Sequence, residues 1–201
     1  MIRESVKRRA DELMEILTDL PMVKSCKIYG SLATNTHDEL SDIDIELDVS
    51  GCDNGQFMLE LTDLLKDKLT VYYSDYAPSL VPEKYIVSIA IDETNPFLIV
   101  DLCCSATPHC TSVTKQQVRE KNHNFSHMLK LWTANLKHYV RGTECRQDIV
   151  RMVGKLGIED VEAKDEASLL EETLCWLESK VDEDLDKFIA VCRTKFEALV
   201  L

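Results

Sequence analysis

The chain has 201 residues, of which 45% are hydrophobic and 29% are charged, a balance typical of a soluble globular protein with one or two domains. No apolar run approaches the roughly 18–20 residues of a membrane span, and the first residues lack a signal peptide's apolar core, so we expect a cytoplasmic protein without a membrane partner. The net charge of −13 disfavours long nucleic acid as a partner and suits a cationic small molecule.

The hydrophobic pattern of the first half predicts a small sheet with helices. Apolar residues at helical spacing predict a helix over 2–20 that ends at Pro21, and a short strand over 23–29 follows. Residues 42–49 alternate apolar and acidic side chains over eight positions, which predicts a second strand. Further predicted elements are a turn at 51–55, a helix over 57–69, a short strand at 71–73, a loop with Pro78 and Pro82, and strands over 85–91 and 97–103 joined as a hairpin.

The second half has a helical pattern throughout. One long helix is predicted over 118–141 and ends at Gly142, and a shorter one precedes Gly154. A helical pair is predicted over 166–179 and 182–200. The element order predicts an α+β fold, with a small mixed β-sheet that has helices on one face, followed by a C-terminal helical bundle. The corresponding domains are residues 1–110 and 111–201, with a boundary near 105–113.

A short motif in the first half carries the chemistry. Ten residues separate Gly30-Ser31 from Asp42-Ile43-Asp44. The two acids project from the same face of a strand, and a Gly-Ser turn can bring backbone N–H groups close to a phosphate. Two carboxylates beside a phosphate are what metal-assisted nucleotide chemistry requires. Asp101 is the one acid in the otherwise apolar strand 97–103.

These residues together resemble the DNA polymerase β-like nucleotidyltransferase superfamily. Within that superfamily, a chain of 201 residues with a single catalytic unit and a C-terminal helical bundle looks most like the small aminoglycoside nucleotidyltransferases. The resemblance covers about residues 24–103 and implies the nucleotidyltransferase fold. It also implies that Asp42, Asp44 and Asp101 are catalytic and hold two Mg²⁺ ions. Asp101 would help to deprotonate the attacking hydroxyl, while Gly30 and Ser31 would bind the phosphates of the nucleotide.

The implied reaction is Mg²⁺-dependent transfer of a nucleoside monophosphate, AMP from ATP, onto a hydroxyl of a small molecule with release of pyrophosphate. An aminoglycoside-type antibiotic is the candidate acceptor, because a polycation suits an acidic protein. Two alternatives stay open. One is a protein-AMPylating or antitoxin-type minimal nucleotidyltransferase, and the other is a non-catalytic nucleotide-binding module.

Structural interpretations of the same acids are also open. The acidic alternation continues from Asp42 and Asp44 through Glu46 and Asp48, so the pattern alone does not separate metal ligands from solvated residues. An unpaired buried carboxylate at Asp101 would be costly, and a metal, a lysine or the backbone could each satisfy it. Ser31 is also compatible with a purely structural turn.

A basic segment follows the acidic half. Residues 111–151 have eight Lys/Arg and three Asp/Glu, and on the predicted helix the basic side chains lie about 200° from an apolar stripe. One interpretation is a solvated basic face. The other is that Lys130 or Lys137 binds the triphosphate, as basic residues of the C-terminal helices do in antibiotic nucleotidyltransferases. His123 and His127 lack a third ligand for a metal.

The eight cysteines are scattered from Cys26 to Cys192, which predicts reduced thiols in a cytoplasmic protein. The densest group, Cys103-Cys104 with His109-Cys110, lacks the second ligand pair that zinc sites need. We therefore expect neither a disulfide framework nor a zinc site.

Overall fold

The computed structural model describes residues 2–78 and 84–200. The predicted loop residue Pro82 lies outside the described residues, whereas Pro78 is the last residue of a strand. Within the described ranges, no helix combines the length and apolarity needed to cross a membrane. The strands are β1 (Ser25–Tyr29), β2 (Ile43–Asp48), β3 (Tyr73–Pro78), β4 (Lys84–Ala90) and β5 (Ile99–Ser105). The helices are α1 (Ile2–Thr18), α2 (Gly30–Ala33), α3 (Asn54–Leu65), α4 (Lys115–Lys121), α5 (Asn124–Val140), α6 (Arg146–Gly154), α7 (Glu166–Lys180) and α8 (Asp186–Val200), with a 3-10 turn at Val161–Ala163.

The five strands form one mixed sheet in the order β1-β2-β5-β4-β3. The β2–β5 pair is parallel, and the other three pairs are antiparallel. The predicted hairpin of β4 and β5 is confirmed. The predicted α+β class with a small mixed sheet is confirmed as well.

The alternation along β2 explains how the sheet separates an apolar face from a polar face. Ile43, Ile45 and Leu47 are fully buried, whereas the acids between them are half-buried on the opposite face. The apolar side chains of α1, α3 and α4 pack against the buried face of the sheet and form one apolar cluster with it. Cluster members on the helices include Leu13 and Leu17 of α1, Leu61 and Leu65 of α3, and Val118 of α4.

The chain divides into two compact units. The first contains the sheet and the described residues up to Asp92, together with Leu98–His123. The second contains Glu93–Phe97 and the helices α5 to α8. Helix α4 therefore lies with the sheet, although it falls after residue 110, where the sequence placed the domain boundary.

Within the second unit, a buried tryptophan of α5 contacts α7 and α8. Trp132 of α5 is fully buried, and its indole N–H donates to the Leu170 carbonyl of α7 at 3.0 Å. Arg193 of α8 donates to both carboxylate oxygens of Glu178 on α7, each at 2.7 Å. These contacts tie the three helices together.

The prediction of one helix over 118–141 is wrong, because Asn122 interrupts it. Asn122 has an extended backbone (φ −79°, ψ 138°) and separates α4 from α5. Its side chain accepts a hydrogen bond from the Tyr76 N–H and donates one to the Tyr76 carbonyl, both at 2.7 Å. Asn122 therefore satisfies two backbone groups of strand β3, and this contact stabilises the break.

The predicted turn at 51–55 and the helix over 57–69 need a similar correction, since α3 begins at Asn54 and ends at Leu65. Asp53 caps the helix, and its carboxylate accepts a hydrogen bond from the Gln56 N–H at 2.8 Å. The Ser112 N–H donates to the other carboxylate oxygen. Burial raises the pKa of Asp53, but the hydrogen bonds from Gln56 and Ser112 outweigh it and hold that pKa below its usual value.

Candidate active site

A row of polar side chains crosses the polar face of the sheet. In the strand register Tyr29 is opposite Asp44, Asp44 is beside Asp101, and Asp101 is opposite Ser88. The row continues on β3 with Asp75, a buried carboxylate opposite Ser88 that the sequence analysis did not single out. Register partners on neighbouring strands, about 4.7–4.9 Å apart, project from the same face. The parallel pairing of β2 and β5 thus brings together two of the three predicted catalytic acids.

The third acid, Asp42, immediately precedes β2 and lies two residues before Asp44, on the same face. A compact loop fixes the backbone that leads into it. The Asp38 carboxylate accepts hydrogen bonds from the Leu40 N–H at 3.0 Å and the Ser41 hydroxyl at 2.8 Å. The Asp38 N–H donates back to the Ser41 hydroxyl at 2.9 Å. Sequence reasoning missed this role of Asp38, although an Asp followed three residues later by Ser is a common turn signal.

Gly30 lies directly against the carboxylate of Asp44. Its φ of +68° is in the left-handed region, and a Cβ built on it would overlap Asp44 Oδ2 and lie 3.0 Å from Asp44 Cγ. Ser31 follows in the single turn α2, and Thr34 and Thr36 fix that turn. The Thr34 hydroxyl contacts both the Gly30 and Ser31 carbonyls at 3.2 Å, and the Thr36 N–H donates to the Ser31 carbonyl at 3.0 Å. The motif therefore holds Asp44 in place through a close backbone approach.

Asp101 is half-buried, and its environment differs from the isolated carboxylate expected from an apolar strand. The hydroxyl of Ser88, itself 1% exposed, donates to Asp101 Oδ1 at 2.5 Å. Because this hydrogen bond and partial exposure already lower the cost of burying the charge, that cost no longer argues for a metal at Asp101. The case for Asp101 rests instead on its place beside Asp44.

Two further acids on β2 have structural partners. Glu46 forms an ion pair with Lys84 of β4 at 2.9 Å. Asp48 accepts a hydrogen bond from the Ser50 N–H at 2.8 Å, and the hydrogen bonds from Ser50 lower the pKa of Asp48. These contacts give Glu46 and Asp48 structural roles, which the sequence pattern alone did not indicate.

Tyr29 lies in a partly buried environment close to two of the carboxylates. Burial raises the pKa of the Tyr29 phenol far above its usual value. Neighbouring Cys103, Asp44 and Asp101 raise it further. The phenol therefore stays protonated and can act as a hydrogen-bond donor on this face.

The donor set fits a hard divalent cation. Asp44 and Asp101 on two adjacent strands, and Asp42 just before the first of them, offer only carboxylate oxygens, and oxygen is the ligand that Mg²⁺ prefers. Among the described residues, no three His, Cys, Asp or Glu side chains form a group that could hold a metal ion by themselves. Mg²⁺ is ordinarily held by one or two carboxylates together with substrate phosphates and waters, so this arrangement suits it.

The two predicted phosphate-binding lysines lie on α5, in the second unit. Lys130 is half-buried and Lys137 is only 3% exposed, so a fully solvated basic face is the wrong interpretation for Lys137. His127 of the same helix has its Nε2 atom 2.8 Å from the Lys155 Nζ atom. A role for Lys130 or Lys137 toward a nucleotide stays a prediction.

Comparison with known proteins finds a weak structural likeness. No protein-family model matches the chain, and no curated protein matches it. Among solved structures, a chain in a structure of a GLD-2/RNP-8 complex is similar, with 18% sequence identity and a TM-score of 0.38. The match covers 100% of this chain and 58% of that chain, so this chain spans less than two thirds of the other's length. A likeness of this size carries no argument about activity.

Proposed function

We propose that this chain is a Mg²⁺-dependent nucleotidyltransferase that moves a nucleoside monophosphate from a nucleoside triphosphate onto a hydroxyl group. The observation that supports this most is the pairing of Asp44 with Asp101 in adjacent positions of β2 and β5, with Gly30 packed against the Asp44 carboxylate. The motif resemblance of Gly30-Ser31 and Asp42-Ile43-Asp44 supports the same reaction.

The proposed roles follow from the chemistry of each group. Asp42, Asp44 and Asp101 would hold the cations, which when bound stabilise the attacking and leaving oxygens of an in-line displacement. Ser31 and the neighbouring N–H groups would orient the phosphates. The acceptor oxygen forms a bond to the α-phosphorus while the bond to pyrophosphate breaks, and Asp101 would take the proton of the acceptor hydroxyl.

For the substrates we propose ATP and a hydroxylated, cationic small molecule of the aminoglycoside type. The support for a cationic acceptor is the net charge of −13. Lys130 or Lys137 would supply positive charge to the triphosphate. Cytoplasmic location also stays part of this proposal.

A screen for mass changes tests the reaction. The protein is incubated with Mg²⁺ and each nucleoside triphosphate across aminoglycosides, lincosamides and other hydroxylated small molecules. We expect a gain of one nucleoside monophosphate on the acceptor, with release of pyrophosphate. Asp44→Asn should lower the rate by about 10²–10³-fold, because it removes charge that stabilises the transition state. Asp48→Asn is the matched control on the same face of β2 and should keep the rate.

Turnover that survives both Asp42→Asn and Asp44→Asn would contradict the site assignment. The alternatives give other results. Labelled protein bands after incubation with labelled ATP and a cell lysate would favour a protein-modifying enzyme. Nucleotide binding without pyrophosphate release in any reaction would favour a non-catalytic module.

A further inference from the structure

Ser88 of β4 is buried beside Asp101. Along β4, Val87 and Ile89 face the apolar core, whereas Ser88 faces the other side of the sheet with Asp101. Ser88 is 1% exposed, and a buried hydroxyl is costly unless it forms a hydrogen bond. Its hydroxyl donates to Asp101 Oδ1. This short, charge-assisted bond is of the stronger kind.

The hydrogen bond makes the two oxygens of Asp101 unequal. The terminal torsion of an aspartate is broad, so an unrestrained carboxylate samples many orientations. Ser88 restrains that torsion by holding Oδ1 toward β4. The other oxygen, Oδ2, then has a defined direction on the face that Asp101 shares with Asp44.

We propose that Ser88 is a positioning residue, which orients the Asp101 carboxylate so that its Oδ2 atom binds a divalent cation shared with Asp44. This inference rests on the proposed function, because it assumes that the two acids form a cation site. It adds a residue outside the acidic motif, on a strand that contributes no carboxylate to the proposed ligand set. Ser88 acts through Asp101 and does not itself contact the cation.

The test measures Mn²⁺ binding to the full chain without nucleotide, by electron paramagnetic resonance. Ser88→Ala should weaken Mn²⁺ binding by about 10-fold or more, since partners of metal ligands commonly contribute 10–100-fold to affinity. Ser88→Thr keeps the hydroxyl and should retain the wild-type affinity. Ser105→Ala is the matched control, because Ser105 lies on β5 itself and its hydroxyl donates to the Leu47 carbonyl at 3.4 Å.

The thermal unfolding of each variant without metal separates positioning from folding. A merely structural role for Ser88 would lower the unfolding temperature of Ser88→Ala and leave Mn²⁺ affinity unchanged, which would overturn the proposal. Ser88→Cys replaces the hydroxyl with a somewhat larger thiol that is a weak donor, so it tests the same hydrogen bond if the alanine variant does not fold.

The outcomes also separate this inference from the proposed function. If the wild type binds Mn²⁺ and Asp44→Asn abolishes binding, but Ser88→Ala binds as the wild type does, then only the role of Ser88 is wrong. If the wild type binds no Mn²⁺ with or without a nucleoside triphosphate, both proposals fail. Weaker binding in Ser88→Ala with recovery in Ser88→Thr supports both.

Discussion

Replacing Gly30 by alanine tests whether the position of Asp44 matters. Two effects are expected. A residue other than glycine at φ +68° costs about 1–2 kcal/mol of folding free energy. The new Cβ would also overlap the Asp44 carboxylate, with Cγ at 3.0 Å. Since packed carbon atoms lie about 3.5–4.0 Å apart, the Cγ atom of Asp44 must move by about 0.5–1 Å, and the overlapping Oδ2 atom must move further.

A matched control separates these two effects. Gly142, after α5, has φ +65°, and a Cβ built there has no neighbour within 4 Å. Gly142→Ala should therefore lose the same 1–2 kcal/mol, or about 2–8 °C of unfolding temperature, without any displaced carboxylate. Only Gly30→Ala should lose nucleotidyl transfer, by about 10²-fold, because a misplacement near 1 Å has an effect of that size.

The assay compares pyrophosphate release and Mn²⁺ affinity in the two glycine variants, both below their unfolding temperatures. Equal loss of stability with a selective loss of transfer and Mn²⁺ binding in Gly30→Ala is the expected result. A displaced reacting group is expected to change the rate by about 10²-fold. If Gly30→Ala instead stays within about threefold of Gly142→Ala in both measurements, then neither transfer nor Mn²⁺ binding depends on the exact position of the Asp44 carboxylate.

Two stability predictions concern the contacts around the sheet. Asn122→Ala should lower the free energy of unfolding in urea by about 1–3 kcal/mol, because two hydrogen bonds to Tyr76 are lost. The control Asn124→Ala, in the exposed first turn of α5, should change that free energy little. Asp53→Ala should lower it by about 1–2 kcal/mol at pH 7, with exposed Asp67→Ala as the control. Because the folded pKa of Asp53 is depressed, this stabilisation is present above the unfolded value near 3.9 and is lost as the pH falls through the folded pKa. Equal unfolding free energies at pH 7 for wild type and Asp53→Ala would contradict the capping role.

The sequence predicted the elements whose signals are local. The alternation of Ile43, Asp44 and Ile45 indicated both β2 and its two faces, and the structure has both. The neighbour of that strand could not be derived in the same way. Asp101 is 57 positions from Asp44, and only the parallel pairing of β2 with β5 puts them side by side. The motif resemblance, rather than periodicity, connected the two acids beforehand.

The contacts that sequence reasoning missed are mostly non-local or made by ordinary polar residues. The sequence on both sides of Asn122 has a helical pattern, and the partner of its side chain is the distant backbone of Tyr76. No local pattern therefore indicates the break between α4 and α5. Ser88 lies in an apolar strand, where a single serine has no signal of its own. Lys137 has the helical spacing of a solvated basic residue, yet it is buried. Such roles depend on which strands and helices become neighbours.

The contact of Asn122 with β3 also bears on association between copies of the chain. Strand β3 is at an edge of the sheet, where unpaired N–H and C=O groups can recruit the strand of another molecule. Asn122 occupies both groups of Tyr76, and two residues later Pro78 has no amide hydrogen to donate. A second chain therefore meets no continuous ladder along this edge. The residue that interrupts a helix thereby protects the sheet from edge-to-edge aggregation.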